Sequence, residues 1–168
     1  MAYRGKAADL ALRVAGVDYG LKGAVAVLAV EDEASPKREL RGVPVRRIVS
    51  VTDLYARGHL SIAAQVGRGD AVYVEDFMLR FATKSQREAC IRYGRVLEAL
   101  LHAGCCTTRV RPEVWKRALG LSPKSSYEAR KREALKLARR LWPAFTFKRS
   151  DHAEAALIAE YGWRVLNA

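Results

Sequence analysis

Side-chain amides are almost missing from this chain: Gln65, Gln86 and Asn167 are all it has. Such scarcity accords with a GC-rich genome or with heat adaptation, and the residues alone do not separate the two. Cysteine is sparse as well. Cys90, Cys105 and Cys106 form no CxxC pair and have no histidines at metal-ligand spacing, which excludes the common zinc frameworks. Adjacent Cys105 and Cys106 disfavour a bridge between themselves, so buried thiols in a reducing compartment are expected. Long apolar runs are lacking too. No stretch reaches the roughly 18 continuous apolar residues of a membrane span, and the N-terminus, Met1–Asp9, has no apolar core of a secretory signal. A soluble, cytoplasmic protein is expected.

Acidic charge is the remaining shortage. Thirty Lys and Arg stand against 18 Asp and Glu, a formal net charge of +12. Such an excess speeds and tightens encounters with polyanions, of which phosphate backbones are the commonest. An anionic membrane or an acidic partner protein fits the same arithmetic. With 168 residues, half of them hydrophobic, the chain is long enough to bury the core of one domain.

Along the chain, residues 1–11 are polar and read as a flexible N-terminal segment, with one domain over 12–168. Leu12–Asp18 and Gly23–Val30 have β patterning, and the glycines of Tyr19-Gly-Leu-Lys-Gly23 suit a hairpin. After a charged turn over Glu31–Arg38, Val43–Val51 reads as a third strand, with Pro44 arguing for an edge or entry position. Thr52 and Asp53 are candidate N-caps for a helix through about Val66. Ala71–Glu75 is a short buried strand, Thr83–Ala103 a helix, and Cys105–Val110 a fifth strand. Pro112 opens a short helix through Leu119. An amphipathic helix runs over Tyr127–Trp142 and stops at Pro143, and a last helix follows Ser150 towards Val165. The order βββ-α-β-α-β-α-α-α predicts an α/β fold. Its five-stranded mixed sheet would join an antiparallel β1–β3 meander to parallel β4 and β5, with helices on both faces.

The few carboxylates fall at telling places. Asp18 ends an apolar strand at a glycine turn, where it either faces a ligand or caps its own turn. The same pattern also occurs in the first phosphate loop of sugar kinases and actin. Glu75 ends Val72-Tyr-Val-Glu75, a costly place for a carboxylate unless a cation or donor meets it, or the strand emerges into solvent there. Asp76 would point the other way and is held in reserve. Asp151 and Glu154 share a helix face at i and i+3, where first-turn acids also favour the helix dipole and Ser150 is a natural N-cap. Ala153, Ala155 and Ala156 would let that helix lie close to the sheet and bring its acids to the strand ends. Gathered carboxylates need a counter-charge, and hard oxygen ligands select Mg²⁺ or Mn²⁺. Two such ions would activate water and stabilise a leaving 3′ oxygen. His152 is expected on the helix surface, with an outer-ligand or proton-shuttle role as the alternative.

Three stretches in order carry a resemblance: Gly16-Val-Asp-Tyr-Gly-Leu-Lys-Gly23, Val74-Glu-Asp-Phe-Met78 with Tyr93-Gly94 in the helix after it, and Ser150-Asp-His-Ala-Glu-Ala-Ala-Leu-Ile-Ala159. Over residues 12–166 the chain resembles the RuvC family of Holliday-junction resolvases, on the RNase H-like fold. Tyr19, where that family usually has proline, and Glu154, where it usually has Asp, mark a divergent branch of the kind phages encode. The resemblance implies a structure-selective endodeoxyribonuclease that resolves four-way DNA junctions by paired symmetric nicks. It also implies a homodimer working in a prokaryotic or phage-infected cell.

By position, Asp18, Glu75, Asp151 and Glu154 become metal ligands for two Mg²⁺ or Mn²⁺ ions, and Lys116 the catalytic lysine. Lys131 becomes the second basic contact, with Lys124 as the alternative, and Phe77 the wedge at the crossover. Arg130 and Arg132 join Lys131 in a basic helix expected to contact phosphates. The helix Thr83–Ala103, with Leu97, Leu100 and Leu101, is the expected dimer element. An RNase H-like nuclease on other branched DNA or RNA–DNA hybrids, and a non-cleaving DNA-binding module on the same fold, are the alternatives.

Overall fold

The computed structural model describes residues 12–20, 22–30, 46–54, 60–76, 83–122 and 126–168. Its elements in chain order are β1 (Arg13–Asp18), β2 (Ala24–Val30), β3 (Arg46–Asp53), α1 (Leu60–Gln65) and β4 (Ala71–Glu75). There follow α2 (Lys84–His102), β5 (Cys106–Val110), α3 (Pro112–Ala118), α4 (Tyr127–Leu141) and α5 (Ser150–Leu166). The five strands make one sheet in the order β3-β2-β1-β4-β5. β1, β2 and β3 pair antiparallel, while β4 pairs parallel with both β1 and β5. This is the mixed α/β sheet that the pattern of apolar runs predicts. The N-terminal segment 1–11, the turn 31–38 and Pro44 lie outside the described residues.

Side-chain alternation along the strands divides the core into two layers. Val14, Ala24, Ala26, Leu28 and Tyr73 face α3, α4 and α5. Ala15, Val17, Val25, Val27, Val72 and Val74 face α1 and α2. Asp18 is two residues beyond Gly16 and four beyond Val14, so it falls on the α5 side. Glu75, two beyond Tyr73, falls there as well. Asp76 falls on the other side, where the Tyr93 hydroxyl of α2 donates to its Oδ1 at 3.0 Å.

Two glycines set how closely α5 approaches this sheet. A Cβ on Gly16 would come within 2.1 Å of the Ala155 carbonyl oxygen, and one on Gly162 within 2.2 Å of the Tyr73 ring. With Ala153, Ala155, Ala156 and Ala159 fully buried along the same helix, α5 backbone lies almost on β1. A helix this enclosed still carries a carboxylate in its middle. Glu160 is completely buried, and it is neutralised by a two-pronged contact from Arg46 at 2.8 and 2.9 Å and by Arg164 at 2.9 Å. Charge-assisted, bidentate pairing of this kind makes such burial tolerable. It also pins the edge strand β3 to α5, where the Arg46 guanidinium lies 4.1 Å from the Trp163 ring centroid.

Several boundaries and environments differ from the sequence expectations. Thr52 and Asp53 do not cap a helix; they finish β3, paired with Val25 and Ala24, and the following helix is described only from Leu60. The backbone bonds of β2 outweigh the local capping preference. Ser150 is the first residue of α5 rather than its cap, which is Arg149, with no side-chain capping bond. The thiols are not all buried. Cys90 and Cys106 are exposed, on the outer face of α2 and on edge strand β5, and all three cysteines are free. In α2, Leu100 is buried in the chain's own core and Leu97 packs against it, which leaves only Leu101, 77% exposed, of the leucines expected to pair. Among the described residues no helix is long and apolar enough to cross a membrane.

Candidate active site

Strand register aligns the acids at one end of the sheet. Asp18 pairs with Ala24, Ala24 with Asp53, and Val17 with Val74 just before Glu75. The close approach of α5 then delivers its first turn to the same place. One ligand oxygen from each of Asp18, Asp151 and Glu154 lies within 4.8 Å of the others. Asp18 and Glu154 are only 5% and 6% exposed. Of the two roles that its sequence left open, Asp18 takes the turn cap and also stands among the other acids. Its Oδ1 accepts the Gly20 N–H at 2.9 Å, capping the hairpin turn, while the carboxylate stands in the cluster.

Glu75 lies on the far side of Lys116. The Lys116 ammonium is 3.7 Å from Glu75 Oε1 and 3.7 Å from Glu154 Oε1, so it bridges the two. Beneath it, the fully buried Trp115 indole donates to Glu75 Oε1 at 3.1 Å. α3 thus delivers two neighbours, one as a cation and one as a neutral donor. α4 supplies the other cation. The Lys131 ammonium binds Asp151 Oδ1 at 2.8 Å and also contacts Glu154 Oε2. A cavity of about 510 Å³ opens over this arrangement, lined by Asp18, Gly20, Lys22, Lys131, Arg149 and Asp151 among others.

The electrostatics follow from burial and crowding. Burial, then the charges of Glu75 and Glu154, push the Asp18 carboxyl up to about 7, against the pull of Lys131 and the Gly20 N–H. Burial also raises Glu75, opposed by Lys116 and by the Trp115 hydrogen bond. For Lys131, burial alone would lower the ammonium; the Glu154 and Asp18 charges, with its hydrogen bonds to Asp151 and Glu154, outweigh it and raise it. Tyr19, packed on Tyr93 at 4.9 Å, is held well above the phenol range by burial and the nearby carboxylates.

All four expected carboxylates and both Lys116 and Lys131 therefore converge. Arg130 is half-buried and Arg132 exposed. They sit about 100° to either side of Lys131 around α4 and are not part of the cluster. Phe77 and Lys124 lie outside the described residues. His152 is not a surface residue. It is 8% exposed, and its Nε2 meets Asp53, because the first turn of α5 is pressed against the sheet end and offers no outward face there. Arg149 joins the same group through Asp53, with its guanidinium 3.3 Å from the His152 ring and 3.1 Å from the Lys22 carbonyl. That network and the Trp115–Glu75 bond were not anticipated. A tryptophan directly before Lys116 was the one signal in the sequence for the second.

The donors are all hard carboxylate oxygens, and the protein itself already sets two ammonium groups on them. Chemically this suits a divalent oxygen-seeking cation such as Mg²⁺ or Mn²⁺ and disfavours zinc.

No protein-family model matches the chain, and no curated protein matches it in sequence. Solved structures do. The structure of Thermus thermophilus RuvC superposes with a TM-score of 0.65 at 21% identity, covering 93% of this chain and 97% of that one. T. thermophilus RuvC in complex with a Holliday junction substrate superposes with a TM-score of 0.63 at 21% identity, covering 92% and 96%. The chain therefore has a RuvC-like, RNase H-type fold in a divergent form.

Proposed function

We propose that this chain is a metal-dependent endodeoxyribonuclease that resolves four-way DNA junctions by nicking two symmetric strands. The observation that supports it most is the convergence of Asp18, Asp151 and Glu154 within 4.8 Å of one another on a RuvC-like fold. Glu75 stands across Lys116 from that group. The net charge of +12 suits a polyanionic substrate.

Asp18, Glu75, Asp151 and Glu154 would hold Mg²⁺ or Mn²⁺, two ions per site in this reading. Bound there, the metal would supply polarisation of the phosphoryl oxygens and a hydroxide-like water at neutral pH. The chain's own groups do the rest. Lys116, poised between Glu75 and Glu154, offsets the charge that develops on the phosphoryl oxygens. Lys131 pairs with Asp151 and Glu154 and holds the two carboxylates in place. Arg130, Lys131 and Arg132 on α4, with Lys124, provide backbone phosphate contacts, and Phe77 an aromatic wedge at the crossover. A two-fold dimer built on α2 belongs to the same reading, now carried by exposed Ile91 and Leu101.

The test is a panel of end-labelled substrates incubated with Mg²⁺ or Mn²⁺: a four-way junction, a fork, a linear duplex and an RNA–DNA hybrid. Paired symmetric nicks confined to the junction are expected. Preferred cutting of the fork or hybrid would replace the substrate assignment and keep the nuclease. Tight junction binding without cleavage under either metal would leave a DNA-binding module on this fold.

A further inference from the structure

Asp53, at the same sheet end on the α5 side, takes its partners outside the carboxylate cluster. It is held instead by Arg149 and His152, whose hydrogen bond and charge keep its carboxyl below the usual range. Arg149 also lines the 510 Å³ cavity over Asp18. On the opposite side of this network, Asp53 and His152 form one wall of a second, separate cavity of about 330 Å³. Its other walls include Thr52, Gln65, Phe145, Thr146 and Lys148. Asp18 and Asp53, one on the wall of each cavity, flank Ala24 in register and stand roughly 10 Å apart, two strand spacings along the sheet end.

Resting on the nuclease reading, we propose that this second cavity is a subsite for one unstacked nucleotide of the strand being cut, next to the scissile phosphate. Its volume falls at the lower end of ordinary small-ligand sites, and its lining divides as a nucleotide does. Phe145 gives an aromatic wall for a base, and its own position is set by Phe147, with ring centroids 4.9 Å apart. The Gln65 amide is oriented, because its Oε1 accepts the Ser50 hydroxyl at 2.8 Å. That leaves its NH₂ as a donor for an acceptor on a base edge, beside the hydroxyls of Thr52 and Thr146.

Charge points the same way. Asp53 would repel a phosphate, but Arg149 and His152 both contact its Oδ1 and offset its charge. Lys148 is exposed on the wall of this cavity, close enough to Asp53 for its charge to help lower that carboxyl, and its ammonium faces solvent where a phosphate would meet it. Arg149 lines the cavity over Asp18 and contacts Asp53 and His152, which line the second, so it stands between the two. A base enters such a cavity only when it is out of the duplex stack, which favours branched or distorted DNA over a relaxed duplex.

The experiment walks a single abasic site through the nucleotides flanking the cut in a four-way junction. Cleavage rates are measured with Mg²⁺ for the wild type, Phe145→Leu and Lys148→Ala. Loss of one base–aromatic contact should slow wild-type cleavage about 10-fold at one abasic position and leave the others nearly unchanged. Phe145→Leu should erase that positional effect, cutting the intact and abasic junctions at the same reduced rate. Lys148→Ala, an exposed change that should not disturb folding, should weaken junction binding and lower its salt slope by about one. Rates that ignore the abasic position, together with an unchanged Lys148→Ala salt slope, would overturn the subsite while leaving the nuclease standing. Absence of cleavage on every junction would overturn the nuclease reading and the subsite with it.

Discussion

The Trp115 indole N–H donates to Glu75 Oε1 at 3.1 Å, from a side chain with no solvent exposure at all. It fixes one oxygen of a carboxylate that Lys116 approaches from above, so the Glu75 rotamer is decided before any substrate arrives. Trp115→Phe keeps most of the ring and removes only the donor. A hydrogen bond to a charged acceptor contributes about 1.5–3 kcal/mol, so a small loss of stability is expected. Groups that orient a metal ligand typically matter 10- to 100-fold in affinity or activity. Titrating cleavage with Mn²⁺ should show a higher half-saturating metal concentration in Trp115→Phe; an unchanged value would reduce the indole to a packing role.

Lys131 stands where an entering cation must compete with it, on Asp151 and Glu154. Its folded-state value is raised, so the stability it contributes is fully present below its ordinary value of 10.5 and is lost only above it. At pH 8, Lys131→Met should therefore destabilise the metal-free protein by about 3 kcal/mol, through carboxylates left without a partner. Divalent cation should then raise the melting temperature of Lys131→Met more than that of the wild type, since no ammonium has to be displaced. Equal shifts in differential scanning fluorimetry would contradict the competition.

Asp18 gives a pH signature of the same sign in a lower window, where its ionised form destabilises the fold. Its carboxyl titrates at about 7 in the folded chain, against an ordinary value of 3.8. Between these values the folded state binds the extra proton, so stability falls as pH rises from about 4 towards 7. Asp18→Asn removes this dependence. Melting curves of the metal-free proteins should show the variant gaining on the wild type across that window, by about 2–4 °C for each kcal/mol. Parallel curves would mean that Asp18 is not crowded as the structure places it.

The basic face of α4 is tested by salt. Neutralising Arg130, Arg132 and Lys136 to Gln should reduce the slope of log binding constant against log salt by roughly three for duplex contacts. The metal-induced rise in melting temperature should not change, because none of the three joins the carboxylate cluster. An unchanged slope would take α4 off the DNA surface.

Much of the fold was legible because burial leaves period-two and period-3.6 traces. Val72-Tyr-Val-Glu75 reads as a short strand ending in a carboxylate, and it is one. The same alternation explains why Glu75 and not Asp76 reaches the cluster, since Tyr73 and Glu75 share a face. What stayed hidden depended on long-range pairing. Thr52 and Asp53 look like helix caps until β2 is known to pair with them across Val25 and Ala24. His152 looks like a surface residue until Gly16 lets α5 settle onto β1 and carries its ring to Asp53. Leu97 and Leu100 look surplus to one helical stripe until the layer on the α2 side of the sheet claims them.

The most direct test of the central claim compares wild type with Asp18→Asn on a labelled four-way junction, measuring binding in Ca²⁺ and cleavage in Mg²⁺. The account predicts paired symmetric nicks by the wild type and none by Asp18→Asn, with junction affinity within a few-fold for the two proteins. Cleavage that survives Asp18→Asn, or that proceeds equally with chelator present, would contradict a carboxylate-held metal site at the end of β1.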